Sequence, residues 1–234
     1  MLDQLGFASN AGCMTSDAVD ERPSRPLLTL GRVDLVRVQV GHRALPDGPV
    51  FQQFLLDLPL AVADDDRVQD PFDEAWVLAA LEPVLHAGDA PPRHYSLHTH
   101  RWHTSWGPSP GAFDLGLLVT TGTRAAASDA WGDSVCRAFR GLLQAAGRPE
   151  APASRDAAVL RARRSAATAY AVDPDALSLT AEEHHRAEGS WTVGLRTTAG
   201  DEYDVLVGLV DGYSRSVRVR HVKRVEVFDS VGSE

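Results

Sequence analysis

The chain has 234 residues, 44% of them hydrophobic, which is enough apolar material for one large domain or two small ones. Its formal net charge of -9 argues against general nucleic-acid binding, because an acidic chain as a whole repels phosphate backbones. The two cysteines, Cys13 and Cys136, do not indicate a disulfide framework. No run approaches the roughly 18 apolar residues of a membrane-spanning helix, so we expect no membrane association.

The basic and aliphatic residues show a strong bias. Lys223 is the only lysine among 23 basic residues, Asn10 is the only asparagine, and isoleucine is absent. These three residue types share AT-rich codons rather than chemistry, so the bias indicates a high-GC genome of the actinomycete kind. The first 20 residues also lack the basic region and the continuous apolar stretch of a signal peptide. We therefore expect a cytoplasmic bacterial protein.

The N-terminal part of the chain is predicted to be an arm followed by two strands. Residues 1–26 are rich in Gly, Ser, Asp and Pro, which is typical of a flexible arm. Apolar residues alternate with polar ones over 27–40, and this pattern predicts a strand. The turn at 45–49 leads into a second period-two run, 54–60, which is predicted to pair antiparallel with the first.

A helix is predicted after these strands. Asp70 is the expected N-cap and Pro71 the first helical residue. Pro83 is expected to kink or shorten this helix, and Gly88 to end it.

Two further strands and a second helix complete the first predicted module, residues 27–147. The segment 94–106 is polar and aromatic, and the segment 113–121 is strongly apolar. Ser128-Asp129 is predicted to begin the second helix, and Gly147 to end it. The order is thus β-β-α-β-β-α, an antiparallel sheet with helices on one face.

The second predicted module spans residues 155–229, after a linker at 148–154. Ser154 is the expected N-cap of a helix that runs to about residue 172. Four strands follow as an antiparallel meander, α-β-β-β-β, with good hairpin turns at 199–200 and 211–212. The fold class predicted for the whole chain is therefore α+β.

This second module resembles a PepSY-type module. The resemblance covers residues 157–227 and rests on Trp191-Thr192-Val193, Gly200-Asp201-Glu202-Tyr203-Asp204-Val205 and the turn Asp211-Gly212. Members of that family are usually extracytoplasmic and regulatory, so the resemblance implies a binding or regulatory role. We identify no such resemblance for residues 1–150.

Histidines are concentrated in one predicted strand. Four of the nine fall within residues 93–103. On a strand, His98 and His100 share a face, a spacing that serves Zn²⁺ or Fe²⁺ in sites built on β-strands. The spacing selects no third ligand among His221, His184, His185, Glu182 and Asp114. A polar edge strand without a metal is the favoured interpretation, so no cofactor is expected, with zinc or iron as the alternative.

The same segment has the composition of a recognition surface. Large rigid side chains with polar tips are typical of protein interfaces, and Trp and Arg are frequent among their strongest contacts. The predicted partner-binding residues are Tyr95, His98, His100, Arg101, Trp102, His103 and Trp106.

Two arginine-rich stretches are further candidates. The last predicted strand is basic and is a possible sheet edge, where charges commonly block aggregation; its members are Arg215, Arg218, Arg220, His221, Lys223 and Arg224. Arg161 and Arg164 lie three residues apart on one side of the third helix. That side is predicted to be solvated, and the alternative is that it docks onto the acidic first module.

No sequence motif for dinucleotide binding, phosphate binding, zinc proteases or serine hydrolases is present. The sequence favours a non-enzymatic accessory or regulatory protein that binds another protein. Two alternatives stay open. One is a metal-dependent enzyme with a His-x-His site at His98 and His100. The other is a structural subunit of a larger assembly whose edge strands pair between copies.

Overall fold

The described part of the chain forms three α-helices and eight strands. The computed structural model describes residues 33–60, 73–86, 94–102, 111–121, 128–147 and 152–222. The first part of the chain forms β1 (Val33–Arg43), β2 (Val50–Pro59), α1 (Glu74–Leu85), β3 (His94–Trp102), β4 (Gly111–Thr120) and α2 (Ser128–Ala146). The second part forms α3 (Arg155–Tyr170), a 3-10 turn (Pro174–Ala176), β5 (Ser178–His185), β6 (Ser190–Arg196), β7 (Glu202–Val207) and β8 (Ser216–Val222).

This element order confirms the predicted α+β class and the predicted succession of strands and helices. None of the described helices is long and apolar enough to cross a membrane. The predicted arm, 1–26, and residues 148–151 of the predicted linker lie outside the described residues.

One sheet of eight strands, in the order β3-β4-β1-β2-β8-β7-β6-β5, runs through both predicted modules. The modules join at the antiparallel pair β2–β8, where Phe54 lies opposite Arg218 and Leu55 opposite Val217. The sheet is mixed, since β1 and β4 are parallel, which corrects the expectation of purely antiparallel pairing. A parallel pair requires a long connection, and here β2, α1 and β3 supply it. Strand β8 is interior, so the predicted edge is also corrected; the edges are β3 and β5.

The first half of the sheet, β3-β4-β1-β2, has its hydrophobic core on the face covered by α1 and α2. Its strands alternate between buried and partly exposed residues, so that alternate side chains point into this core. The core contains Val36, Val38, Val40, Phe54, Leu56, Leu58, Phe113, Leu115, Leu117, Val119, Val77, Leu81, Trp131, Val135, Phe139 and Leu142.

The second half, β8-β7-β6-β5, has its core on the opposite face. Helix α3 contributes the fully buried Ala158, Ala162 and Ala166, which lie against valines, Leu195 and Tyr203 of β6, β7 and β8. Leu55 of β2 packs at the margin of this core, whereas its neighbours Phe54 and Leu56 belong to the first one. Successive strand residues point to opposite faces. The helices of the two halves therefore cover opposite faces of one sheet.

Side-chain caps fix the helix ends. Helix α1 begins at Glu74 with Asp73, not Asp70, as its N-cap, because the Asp73 carboxylate accepts the Ala75 N–H at 2.9 Å. Pro83 lies inside α1, which ends two residues later. The predicted Ser154 cap of α3 is confirmed, since its hydroxyl accepts the Ala157 N–H.

Candidate protein-binding surface

Strand β3, which carries most of the predicted site residues, is an edge of the sheet and pairs with β4. His98 lies opposite Gly116 and His100 opposite Asp114. Directly opposed residues share a face, and the core-facing residues of β4 are the odd-numbered ones. The two histidines are therefore on the face turned away from α1 and α2, and both are exposed.

Tyr95 and Arg101 lie on the other face of β3, opposite Val119 and Phe113. Tyr95 is 58% exposed. A nitrogen of the Arg101 guanidinium lies 3.5 Å from a Glu74 carboxylate oxygen, and the group lies 5.8 Å from the Phe113 ring centroid. Arg101 thus contacts the border of the first core.

The predicted binding residues consequently divide between two faces of β3. Trp102 ends the strand in register with Ala112. The remaining two, His103 and Trp106, lie outside the described residues.

Metal binding at His98 and His100 stays a prediction. Within the described ranges, no three His, Cys, Asp or Glu side chains form a group that could hold a metal ion. Two of the proposed third ligands have contacts in the other half of the sheet. The His184 ring stacks on Trp191 at 4.2 Å between centroids, and His221 Nε2 lies 3.2 Å from Asp201 Oδ1.

A recess lies on the face of the first half that α1 and α2 leave open. Its larger part is a cavity of about 450 Å³ between strands β1, β2 and β4 and the side of α3. A second cavity of about 260 Å³ lies toward β3 and is lined by Ser96 and His98. Both cavities are lined by Gln39 and Gly116, so they are contiguous. We call the two cavities together the trough.

The larger cavity is rich in charge. Its charged lining residues are Arg37, Asp57, Asp114, Arg161, Arg164 and Arg215. Among the described lining residues, four arginines against two aspartates leave two positive charges in excess, in a protein whose net charge is -9. The net charge of this lining is therefore positive, whereas the net charge of the whole chain is negative.

Ion pairs arrange these charges. Arg161 Nη1 donates to Asp57 Oδ2 at 2.8 Å and so connects α3 to β2, with both side chains about one-third exposed. Arg37 Nη1 lies 3.5 Å from Asp114 Oδ1 across β1 and β4. Arg164 is exposed one turn further along α3. Both aspartates thus lie beside an arginine of the same cavity.

The spacing of residues on α3 explains the wall of the trough. Ala158, Ala162 and Ala166 recur every four residues and fix the face that packs on the sheet. Arg161, Arg164, Ser165 and Thr168 follow the i, i+3, i+4, i+7 pattern and line the trough together. The alternative prediction, that this side of the helix docks onto the first module, is confirmed for Arg161 by its contact with Asp57.

Two glutamines hold the end of α3 against the floor of the trough. The Gln39 amide donates to the Gln53 carbonyl oxygen, and the Gln53 amide donates to the backbone carbonyl of Ala169. Gly116 completes the floor, and the nearest atom of the described residues to a Cβ added there is the His98 carbonyl oxygen, at 4.0 Å. The space above Gly116 is therefore open.

The corresponding face of the second half has a different shape. Its depression, lined by Asp204, Arg218 and Arg220 among others, has a volume of only about 20 Å³. The trough is therefore a feature of the first half and of the α3 wall beside it.

Sequence reasoning did not single out Arg37, Gln39, Gln53 or Asp57 as site residues. The signal that could have found them is the alternation itself. They are the polar positions between core residues of β1 and β2 and so must share the face opposite the core. What the alternation does not show is that α3 lies beside that face.

The chain matches no protein-family model, no curated protein and no solved structure. The resemblance of residues 157–227 to a PepSY-type module stays a prediction.

Proposed function

We propose that this chain is a non-enzymatic accessory or regulatory protein that binds another protein, and that the trough is its binding surface. The observation that carries the proposal is the large, positively charged recess beside α3, on the face of the first half that α1 and α2 leave open. Helices α1 and α2 pack on the opposite face, and α3 packs on β6, β7 and β8.

The lining of the trough supports a macromolecular partner over a small substrate. Small-molecule sites are mostly apolar, with a few polar groups that orient the ligand. The larger cavity instead has six charged residues, four of them arginines. Arginine is enriched in protein interfaces because its planar group can form several directed hydrogen bonds at once. This composition favours recognition over catalysis.

The experiment is photo-crosslinking from the two open faces of the sheet. A photoreactive phenylalanine analogue replaces Ser96, at the β3 end of the trough, in the native host. The same analogue replaces Asp204, which is exposed on the open face of the second half, as the matched control. We expect Ser96 to form an adduct with a defined protein that Asp204 does not form. The same adducts from both positions, or none from Ser96, would contradict the proposal.

One observation favours a second candidate function, that of a structural subunit. The strands at the two edges of the sheet, β3 and β5, are mostly exposed along their described lengths. Exposed edge strands can pair with strands of other chains. Sedimentation of the purified chain tests this candidate: self-association would favour it, and a monomer would argue against pairing between copies.

A further inference from the structure

The geometry points to the chemical class of the segment that occupies the trough. We propose that it is an extended stretch of the partner protein with acidic residues at one end and uncharged residues at the other. The acidic end lies against Arg161, Arg164 and Arg215, and the uncharged end lies toward β3. This inference rests on the proposed function and adds the partner's composition to it.

The larger cavity has a positive charge, which suits an acidic segment. The larger cavity combines four arginines with two aspartates, and Arg161 and Arg37 each lie beside one of those aspartates. Summed over the described lining residues, the charge of this cavity is positive, so the cavity attracts a segment of opposite charge. Arg164 is exposed on the wall and can present two parallel N–H groups to one carboxylate, the geometry that favours arginine over lysine in such pairs.

The polarity of the lining changes along the trough. The cavity near α3 contains all six charged residues, whereas the cavity near β3 is lined by glutamines, Ser96, His98 and aliphatic residues. Because the two cavities share Gln39 and Gly116, one continuous chain can lie in both. Its carboxylates would be favourable only at the α3 end.

A nucleic acid would also carry negative charge, but the lining of the trough suits a peptide better. Single-stranded nucleic acids are held by aromatic side chains on which the bases stack. Among the residues that the structure describes, no Phe, Tyr or Trp lines either cavity, and Asp57 and Asp114 would repel a continuous phosphate backbone. A peptide with a short acidic block avoids both problems.

The test uses labelled synthetic peptides and the purified full chain, with binding measured by fluorescence anisotropy. The first peptide has four acidic residues followed by eight Ser and Val residues. In the second peptide, Asn and Gln replace the acids. We expect the amide peptide to bind at least about tenfold more weakly, since its arginine contacts lose their charge.

Two charge reversals locate the site. Arg164→Glu should weaken binding of the acidic peptide by about tenfold or more. Arg186→Glu makes the same change at an exposed residue in the turn between β5 and β6 and should leave the affinity within about twofold. Circular dichroism of both variants checks that they are folded. Equal weakening by both reversals would indicate non-specific attraction and would overturn the proposal.

Two competitors test the other sources of negative charge. Inorganic phosphate that displaces the peptide at equal concentration would indicate a free-anion site, and an oligonucleotide that binds more tightly than the peptide would indicate a nucleic-acid site. Either result overturns the inference. If the amide peptide binds as well as the acidic one while the Ser96 adduct still forms, the inference fails and the proposed function stands. If neither peptide binds and Ser96 forms no adduct, both fail.

Discussion

The two halves of the sheet differ in how their helices are packed. In the first half, α1 and α2 cover the sheet with large side chains, among them Trp131 and Phe139. In the second half, α3 is the described helix that covers the other face, through Ala158, Ala162 and Ala166. Small residues allow a helix to approach a sheet closely. The flank of α3 therefore contacts β2 directly, through Arg161 and Asp57.

The difference shows how a binding surface can arise from ordinary packing. If α3 covered the same face of the sheet as α1 and α2, the face of the first half that α1 and α2 leave open would have no helix beside it. Because the helices cover opposite faces, the open face of the first half meets the side of α3, and the trough forms there. The following predictions test this contrast.

The largest effect is expected in the core of the first half. Phe139 is fully buried, and Phe139→Ala should lower the free energy of unfolding by about 3–5 kcal/mol, through lost burial and a cavity. Urea denaturation measures the change. The control is Gly141→Ala on the same helix, where an added Cβ meets no atom within 4 Å. A loss of less than about 1 kcal/mol for Phe139→Ala would show that this core is not packed as described.

The alanine contact of the second half should reject larger side chains. Ala162 is fully buried, and Ala162→Leu should destabilise the fold by about 1–3 kcal/mol because α3 must move away from the sheet. Leu160, 50% exposed on the same helix, is the matched position, and Leu160→Ala should change stability by no more than about 0.5 kcal/mol. Equal effects of the two substitutions would contradict close packing at Ala162.

The first core also contains a buried histidine, His42, between the rings of Phe51 and Trp131, with Nε2 at 2.6 Å from the Thr121 hydroxyl. Burial lowers the pKa of His42 to about 4. Between about pH 6.5 and 4, the His42 imidazole is protonated in the unfolded chain but not in the folded chain. The free energy of unfolding therefore falls as the pH falls through this range.

This titration should cost about 2 kcal/mol of stability between pH 7 and pH 5. His42→Phe removes the titrating group and should reduce the loss over that interval by this amount. Urea unfolding of both proteins at the two pH values measures it, and the wild type at pH 7 serves as the reference. The same pH dependence in both proteins would refute the assignment to His42.

The smallest effect is expected at the end of α3. Ala171 has a left-handed backbone conformation, with φ of 53°, which glycine adopts more easily. Ala171→Gly should therefore stabilise the fold by about 0.5–1 kcal/mol in thermal or urea unfolding. The same substitution at exposed Ala157, inside the helix, should destabilise by a similar amount. Destabilisation at both positions would argue against this C-cap.

Local patterns in the sequence predicted the elements well. The alternation of apolar residues predicted β1 and β2, and the Ser154 cap of α3 is confirmed. The start of α1 was predicted less well, because both Asp70 and Asp73 are good caps and the pattern does not choose between them. These are short-range signals, which depend on neighbours in the sequence.

Features that join distant segments could not be predicted in the same way. Asp57 and Arg161 are 104 residues apart, and no local pattern records that they meet. The interior place of β8 and the parallel pairing of β1 with β4 also depend on the order of strands in the sheet. The trough combines all of these long-range features. The sequence predicted the exposed β3 strand at one end of it and singled out Arg161, Arg164 and Arg215 at the other, but it did not predict that these arginines line one recess.

The central claim is that the partner binds in the trough. It is tested most directly by filling the trough and measuring the affinity of that variant for the protein that crosslinks at position 96. Gly116→Val places a side chain in the open space above the floor without a close contact at its Cβ, and valine suits a strand. We predict that this variant folds and binds the partner at least about tenfold more weakly, while Gly141→Ala binds like the wild type. Unchanged affinity in a folded Gly116→Val variant would show that the partner does not bind in the trough.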